Sequence, residues 1–133
     1  MELYYGVTKE GLEGLLKEGI KPKQIEFESG SFAVVPLRTS PKRAILAAFA
    51  DDLDEVTYYK RKSQPATAYV ALGVMTDRYS LVRWQFDEFW IQDGVRPQDI
   101  RAVMELDYAS VKLMFKKMAD GLGFTESDFA PLP

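Results

Sequence analysis

Catalysis by this chain would have to use carboxylates, hydroxyls, tyrosines or cations, because its sequence contains neither histidine nor cysteine. Without imidazole, no side chain has an ordinary pKa near neutrality, and without thiolate there is no soft nucleophile or sulfur ligand for a metal. Ser31 and Ser40 lack a histidine base, which argues against a serine hydrolase. The remaining possibilities are chemistry by the other polar groups, chemistry by a bound cofactor, and binding without chemistry.

Four carboxylates lie close together in the middle of the chain, at Asp51, Asp52, Asp54 and Glu55. Oxygen ligands of this kind suit a hard cation, but the spacing is not that of an EF-hand loop. The alternative is the solvated end of a helix, which we favour. Neither a Walker motif nor a G-x-G-x-x-G motif is present. We therefore predict no metal site.

Two aromatic residues precede three cations at positions 58–62. Such a run suits stacking on bases and contact with phosphate, but it also fits a strand that ends in a charged loop. The net charge of -3 argues against nucleic acid as the main partner, so we expect a protein partner. Large aromatic side chains elsewhere in the chain suit interface anchors. The predicted partner-binding residues are Tyr58, Tyr59, Lys60, Arg61, Lys62, Trp84 and Trp90.

Strand and helix signals alternate in the first half of the chain. Thr8 suits the N-cap of a first helix, which Gly19 ends. Ser40 followed by Pro41 suits the start of a second helix. We expect this helix to end near residue 50, because the carboxylates that follow would oppose the helix macrodipole. Strands are predicted at residues 3–6, 25–27 and 31–37.

The second half is richer in strand-forming residues. We predict strands at residues 56–59, 66–74, 79–91 and 100–106, where β-branched and aromatic side chains are frequent. The stretch 79–91 is either one bent strand or two. Asp107 suits the N-cap of a third helix at residues 107–122, and residues 123–133 are predicted to be irregular.

A length of 133 residues suits one domain, and an apolar fraction of 47% is ample for a core. The expected class is a single compact α+β domain with about six strands in mixed or antiparallel bent sheets and about three helices. No apolar run approaches the roughly 20 residues of a membrane span, and a secretory leader pattern is lacking. We therefore expect a cytoplasmic protein without a membrane partner. The lack of both asparagine and cysteine leaves thermophilic origin and chance as alternatives.

In each of three segments of the chain, a predicted strand is followed by a turn and then by a helix or a second strand. Residues 3–8 (LYYGVT) lead into the first helix, residues 40–44 (SPKRA) open the second, and residues 86–91 (FDEFWI) precede the turn GVRP at 94–97. Together they resemble ADP-ribosyltransferase-like domains over residues 1–106. The resemblance implies bent sheets with a cleft between them, to which the helix at 107–122 is an addition.

The resemblance also implies roles for single residues. Glu88 falls at the catalytic acid, which in the family engages the nicotinamide ribose and stabilises an oxocarbenium-like transition state. Tyr5, Gly6 and Ser40 fall at cofactor-binding positions, although Tyr5 stands where the family typically has histidine or arginine. Pro36 falls near a position where many members have a tyrosine that stacks on nicotinamide. One of the three main site positions, Glu88, is thus kept.

The altered positions favour binding over catalysis. We expect a non-catalytic ADP-ribosyltransferase-like domain that binds a protein partner and needs no cofactor. A small regulatory factor of phage type that acts on host machinery, such as the transcription apparatus, fits this description. The alternative is a divergent mono-ADP-ribosyltransferase that uses NAD, with Glu88 as its catalytic carboxylate. A domain unrelated to this family is a third possibility.

Overall fold

The computed structural model describes residues 2–85 and 87–119, which form one small α+β domain with a curled antiparallel sheet. The predicted class is therefore confirmed, with three helices and seven strands among the described residues instead of about six strands. The strands are β1 (Glu2–Thr8), β2 (Lys23–Phe27), β3 (Gly30–Arg38), β4 (Ala68–Met75), β5 (Leu81–Gln85), β6 (Glu88–Ile91) and β7 (Ile100–Asp107). The helices are α1 (Lys9–Glu18), α2 (Pro41–Thr57) and α3 (Tyr108–Ala119), with a short 3-10 turn at Pro97–Asp99.

The sheet is nearly divided between β3 and β1. Its order is β5-β6-β3-β1-β4-β7, and β2 pairs with β3 outside this path. Tyr4 opposite Arg38 is the one register position at which β1 pairs with β3, whereas β1 pairs with β4 along its whole length. Two strand groups therefore meet at a narrow junction, where they leave room for a cleft.

Strand β4 lies in the middle of the core. All of its residues except Met75 are buried, and strand alternation sends them to two clusters. Tyr69 and Ala71 pack in a cluster with α2 and α3. Val70 and Leu72 pack in a second cluster, against which α1 lies. The sheet is thus covered on both faces, which fits the continuous apolar run in β4.

The helix boundaries at the predicted caps are confirmed. The Thr8 hydroxyl accepts a hydrogen bond from the Gly11 N–H at 3.2 Å, and the Ser40 hydroxyl accepts one from the Arg43 N–H at 3.4 Å. Gly19 has φ +85, a left-handed conformation that favours glycine. The Asp107 carboxylate accepts from the Ser110 N–H at 2.9 Å at the start of α3.

The predicted end of α2 near residue 50 is wrong, and so is the predicted strand at 56–59. The helix continues to Thr57, through the carboxylates that were expected to end it. One of these, Asp52, is buried and accepts hydrogen bonds from the Ala66 N–H and the Tyr69 hydroxyl. Because these donors and Lys62 stabilise its charge, Asp52 does not oppose the helix as a free carboxylate would.

The stretch 79–91 forms two strands rather than one bent strand. β5 and β6 pair antiparallel, and Glu88 is the first residue of β6. α3 begins as predicted and is described to Ala119, so the rest of the predicted helix and the tail 123–133 lie outside the described residues. Within the described ranges, no helix has the length and apolar character needed to cross a membrane.

Candidate functional site

A cleft of about 250 Å³ lies beside the junction of β1 and β3. Helix α2 contributes mainly small residues to its lining, and β1, β2, β3 and the start of β6 contribute the rest. The cleft brings together three residues that the sequence analysis singled out on different strands, since Tyr5, Pro36 and Glu88 all line it. Gly6 lies in the same lining.

The Glu88 carboxylate is held from two sides. Arg38 Nη2 lies 3.0 Å from its Oε1, and the Trp90 indole N–H donates to its Oε2 at 2.6 Å. Asp87 next to it pairs with Arg38 at 3.7 Å and with Arg43 at 3.2 Å. Only 12% of the Glu88 side chain is exposed. Both oxygens of the candidate catalytic carboxylate are thus engaged within the protein.

The neighbouring tyrosines of β1 belong to different faces of the strand. Tyr4 is the cross-strand partner of Arg38 and therefore shares the face on which Arg38 and Glu88 meet. The ring of Tyr5 packs against the second core cluster, with Leu3 and Leu72. Burial raises the pKa of Tyr5, and the nearby Asp51 carboxylate raises it further. Tyr5 is therefore held as a neutral phenol, partly buried against this cluster.

Gly6 and Ser40 have clear structural roles. A Cβ built on Gly6 would lie 1.9 Å from the Ala44 carbonyl oxygen, so β1 packs directly against the backbone of α2 at this position. Ser40 caps α2 and is not among the residues that line the cleft. Of the predicted cofactor-binding residues, Tyr5 and Gly6 line the cleft while Ser40 stands at the beginning of its helical wall.

A second recess, which we call the tryptophan groove, has a volume of about 310 Å³. It is lined by Ser29, Phe32, Val34, Val82, Trp84, Trp90 and Gln92. Trp84 stacks on Trp90 with ring centroids 4.6 Å apart and planes inclined by 15°. Trp84 is 43% exposed and Trp90 only 7%. In the groove, the Trp84 ring is therefore partly exposed to solvent and is stacked on the buried ring of Trp90.

The groove and the cleft lie side by side on one face of the sheet. Trp90 pairs with Pro36 and with Val82, and Glu88 pairs with Arg38, so these side chains share a face. Residues two apart on a strand also face the same side, which places Glu88 beside Trp90. Trp90 therefore lines the groove with its ring, while its indole N–H donates to Glu88, which lines the cleft.

The predicted run at 58–62 follows the end of α2, and its cations are largely engaged within the chain. Arg61 lies over the Tyr59 ring at 4.8 Å and pairs with Glu55 at 3.3 Å. Lys62 points to Asp52 and to Glu10, at 2.7 Å from the latter. Tyr58 is 80% exposed. The run thus presents exposed tyrosine, whereas Lys62 ties the loop to α1 and α2.

The prediction that the four carboxylates mark a solvated helix end is wrong for Asp52, which is 4% exposed. Burial disfavours its charge, but hydrogen bonds from Lys62, Tyr69 and the Ala66 N–H outweigh this effect and lower the pKa of Asp52. Burial and the Asp52 carboxylate raise the pKa of Tyr69. Among the described residues, no group of three or more acidic side chains is arranged to hold a metal ion.

Several residues of these recesses did not emerge from the sequence, among them Arg38, Phe32 and Val82. Arg38 lies opposite Glu88 through the register of β3 with β6, and Phe32 and Val82 enter the groove from strands far apart in the chain. Local patterns do not contain strand register, which depends on tertiary packing. Side chains alternate between the two faces along a strand, so the sequence of β3 places Phe32, Val34, Pro36 and Arg38 on one face of the sheet. This alternation was the signal by which Phe32 and Arg38 could have been found.

The chain was also compared with known proteins. It matches no protein-family model, and no curated protein matches it. The fold class and the two recesses are therefore the basis on which a function is inferred.

Proposed function

We propose that this chain is a non-catalytic ADP-ribosyltransferase-like domain that acts by binding a protein partner through the tryptophan groove. The observation that carries the proposal is the half-exposed Trp84 ring, stacked on buried Trp90 in an apolar recess. Rigid tryptophan rings in preformed recesses are typical anchors of protein interfaces. A small regulatory factor that binds host machinery would use such a surface.

The cleft supports binding rather than catalysis. A transferase carboxylate must face the ribose of its substrate, whereas the Glu88 oxygens are engaged by Arg38 and Trp90. The Tyr5 ring is partly buried against the second core cluster, and the Pro36 side chain offers no hydrogen-bonding group. These three positions together favour a domain that keeps the framework of the family and has a modified site.

The groove has the composition of an interface centre. Phe32 and Val82 are 43% and 47% exposed, and with Trp84 they surround the recess. A cluster of exposed apolar side chains is costly to leave in water. Its burial by a partner contributes about 25 cal/mol of binding free energy per Å² of apolar surface, before the costs of association are subtracted. Polar Ser29 and Gln92 complete the lining.

We expect Trp84→Ala to abolish partner retention, because truncation of a central aromatic anchor commonly costs about 2 kcal/mol or more of binding free energy, roughly thirtyfold in affinity. The measurement is quantitative mass spectrometry of proteins retained from a lysate of the source organism by the tagged chain. Tyr58→Ala is the matched control, because it removes an aromatic side chain that is 80% exposed on a different surface.

Glu88→Gln is a second control in the same capture. Its amide oxygen can still accept a hydrogen bond from the Trp90 indole, although the ion pair with Arg38 is lost, so retention should fall far less than with Trp84→Ala. If Tyr58→Ala loses the partner and Trp84→Ala retains it, the partner binds at residues 58–62 and not in the tryptophan groove. No protein retained above background by the unmodified chain would contradict the proposal.

A divergent mono-ADP-ribosyltransferase is a second candidate, favoured by one observation. Tyr5, Gly6, Pro36 and Glu88, which were singled out on separate segments by resemblance, all line a single cleft. In this case the Glu88 carboxylate would stabilise the developing positive charge on the ribose. The lone pairs that Arg38 and Trp90 leave on its oxygens would accept from a ribose hydroxyl.

Under the binding proposal, titration of the chain with NAD should give no heat of binding and no release of nicotinamide. Calorimetry and a nicotinamide-release assay measure the two effects on the same folded sample. Binding and release by the unmodified chain that Glu88→Gln reduces by roughly a hundredfold or more would establish the transferase instead. Release that Glu88→Gln leaves unchanged would indicate a contaminant.

A further inference from the structure

We propose that Trp90 couples the cleft to the tryptophan groove, so that a ligand that draws the Glu88 carboxylate away from the indole weakens partner binding in the groove. This regulation rests on the proposed function for its biological consequence, since it acts on the surface to which the partner is assigned. The physical link itself is a property of the described chain and can be measured without a partner.

The first step of the coupling is the contact between Glu88 and Trp90. Both side chains are buried, and the indole N–H donates to Glu88 Oε2 at 2.6 Å. A buried tryptophan takes the orientation in which its N–H has an acceptor. Arg38 holds the other carboxylate oxygen at 3.0 Å, so the position of the acceptor depends on Arg38 as well. The orientation of Trp90 therefore depends on the ion pair in the cleft.

The second step is the contact between the two tryptophans. The Trp84 ring stacks on Trp90 at 4.6 Å, and Trp84 itself stands at the register shift between Arg83 and Gln85, where the regular pairing of β5 with β6 is interrupted. A half-exposed ring next to a bulge takes its position from side-chain packing more than from the strand ladder. A change in the orientation of Trp90 therefore moves the exposed ring of the groove.

The ligand that would act on this link is a small molecule with hydroxyl or cationic groups. Such groups donate hydrogen bonds to a carboxylate, and they would compete with the indole for Glu88. The cleft, of about 250 Å³, has room for a molecule of this kind beside α2. By thermodynamic reciprocity, a partner in the groove would weaken the binding of that ligand by the same factor.

Tryptophan fluorescence of the whole chain tests the link directly, because Trp84 and Trp90 are its two tryptophans. Glu88→Leu removes the acceptor, and we expect the acrylamide quenching constant to rise about twofold as both rings become more accessible. Glu88→Gln keeps one acceptor oxygen but loses the ion pair with Arg38, so its quenching constant should lie between those of the unmodified chain and Glu88→Leu. Asp51→Asn also removes a charge from the cleft lining, but Asp51 pairs with Lys23, so quenching should not change. Unchanged quenching in a folded Glu88→Leu would overturn the proposal.

A measurement on the unmodified chain decides the case if Glu88→Leu does not fold. In ¹⁵N-labelled protein, the indole N–H of Trp90 should exchange with solvent at least tenfold more slowly than that of free tryptophan, because it is buried and donates to Glu88. Exchange as fast as that of free tryptophan would overturn the coupling. These outcomes are distinguishable from failure of the proposed function, because partner capture that depends on Trp84 can succeed whether or not the quenching changes.

Discussion

Gly6→Ala should destabilise the chain by about 3 kcal/mol or more, and its melting temperature should fall by roughly 10 °C or more. The added Cβ would lie 1.9 Å from the Ala44 carbonyl oxygen and 2.6 Å from the carbonyl carbon. Both atoms belong to the backbone of α2, so no side-chain rotation relieves the overlap. Helix α2 must move away from β1, which opens the core cluster that contains Phe49. Thermal unfolding followed by circular dichroism measures the effect.

Gly14→Ala is the matched control for this substitution. Gly14 lies in α1, is exposed, and has no atom within 4 Å of its would-be Cβ. Because alanine is the better helix former, we expect stabilisation by about 0.5–1 kcal/mol. Opposite signs for the two glycines would separate the backbone overlap at Gly6 from the gain in helix propensity at Gly14. A Gly6→Ala protein as stable as the unmodified chain would contradict the close approach of β1 to α2.

Asp52→Ala should destabilise the chain by about 3 kcal/mol, the scale for loss of one partner from a buried charged network. Asp52 accepts hydrogen bonds from the Tyr69 hydroxyl at 2.6 Å, the Ala66 N–H at 2.9 Å and Lys62. Removal of the carboxylate leaves the buried Tyr69 hydroxyl without this acceptor and releases the loop that Lys62 ties to the helix. Chemical denaturation at neutral pH gives the free energy of unfolding. Asp54→Ala, an exposed carboxylate two residues away on the same helix, should change it by less than about 0.5 kcal/mol.

The same network gives a pH dependence with a defined sign. Although burial opposes its charge, hydrogen bonds from Lys62, Tyr69 and the Ala66 N–H hold the pKa of Asp52 below its ordinary value. A lowered pKa in the folded state means that the stabilisation is present above the ordinary Asp pKa of about 3.9. It is lost as the pH falls through the lower, folded-state pKa. The difference in stability between the unmodified chain and Asp52→Ala should therefore shrink towards pH ~2. A constant difference would contradict the assigned ionic network.

Local signals predicted the helix starts and failed at the end of α2. Thr8, Ser40 and Asp107 each cap a helix through a hydrogen bond to a residue three positions ahead, which is a property of the local sequence. The continuation of α2 depends on donors from other segments, because Asp52 is stabilised by Tyr69, 17 positions away. A carboxylate that opposes the macrodipole in an isolated helix is thus tolerated when tertiary hydrogen bonds stabilise it.

The candidate site was accessible from sequence only in part. Tyr5, Gly6, Pro36 and Glu88 were singled out in the sequence, and they line the same cleft. Arg38, which engages Glu88, was not, because its contact depends on strand register. Residues 58–62 were predicted to bind a partner, whereas Lys62 faces a buried carboxylate of the same chain. The sequence of residues 58–62 alone does not show that Lys62 pairs with a carboxylate of α2.

Capture from a lysate with the unmodified chain, Trp84→Ala and Tyr58→Ala is the most direct test of partner binding through the tryptophan groove. The prediction is one partner that the unmodified chain and Tyr58→Ala retain equally and that Trp84→Ala loses. Equal retention by Trp84→Ala, or retention of no partner by the unmodified chain, would contradict it.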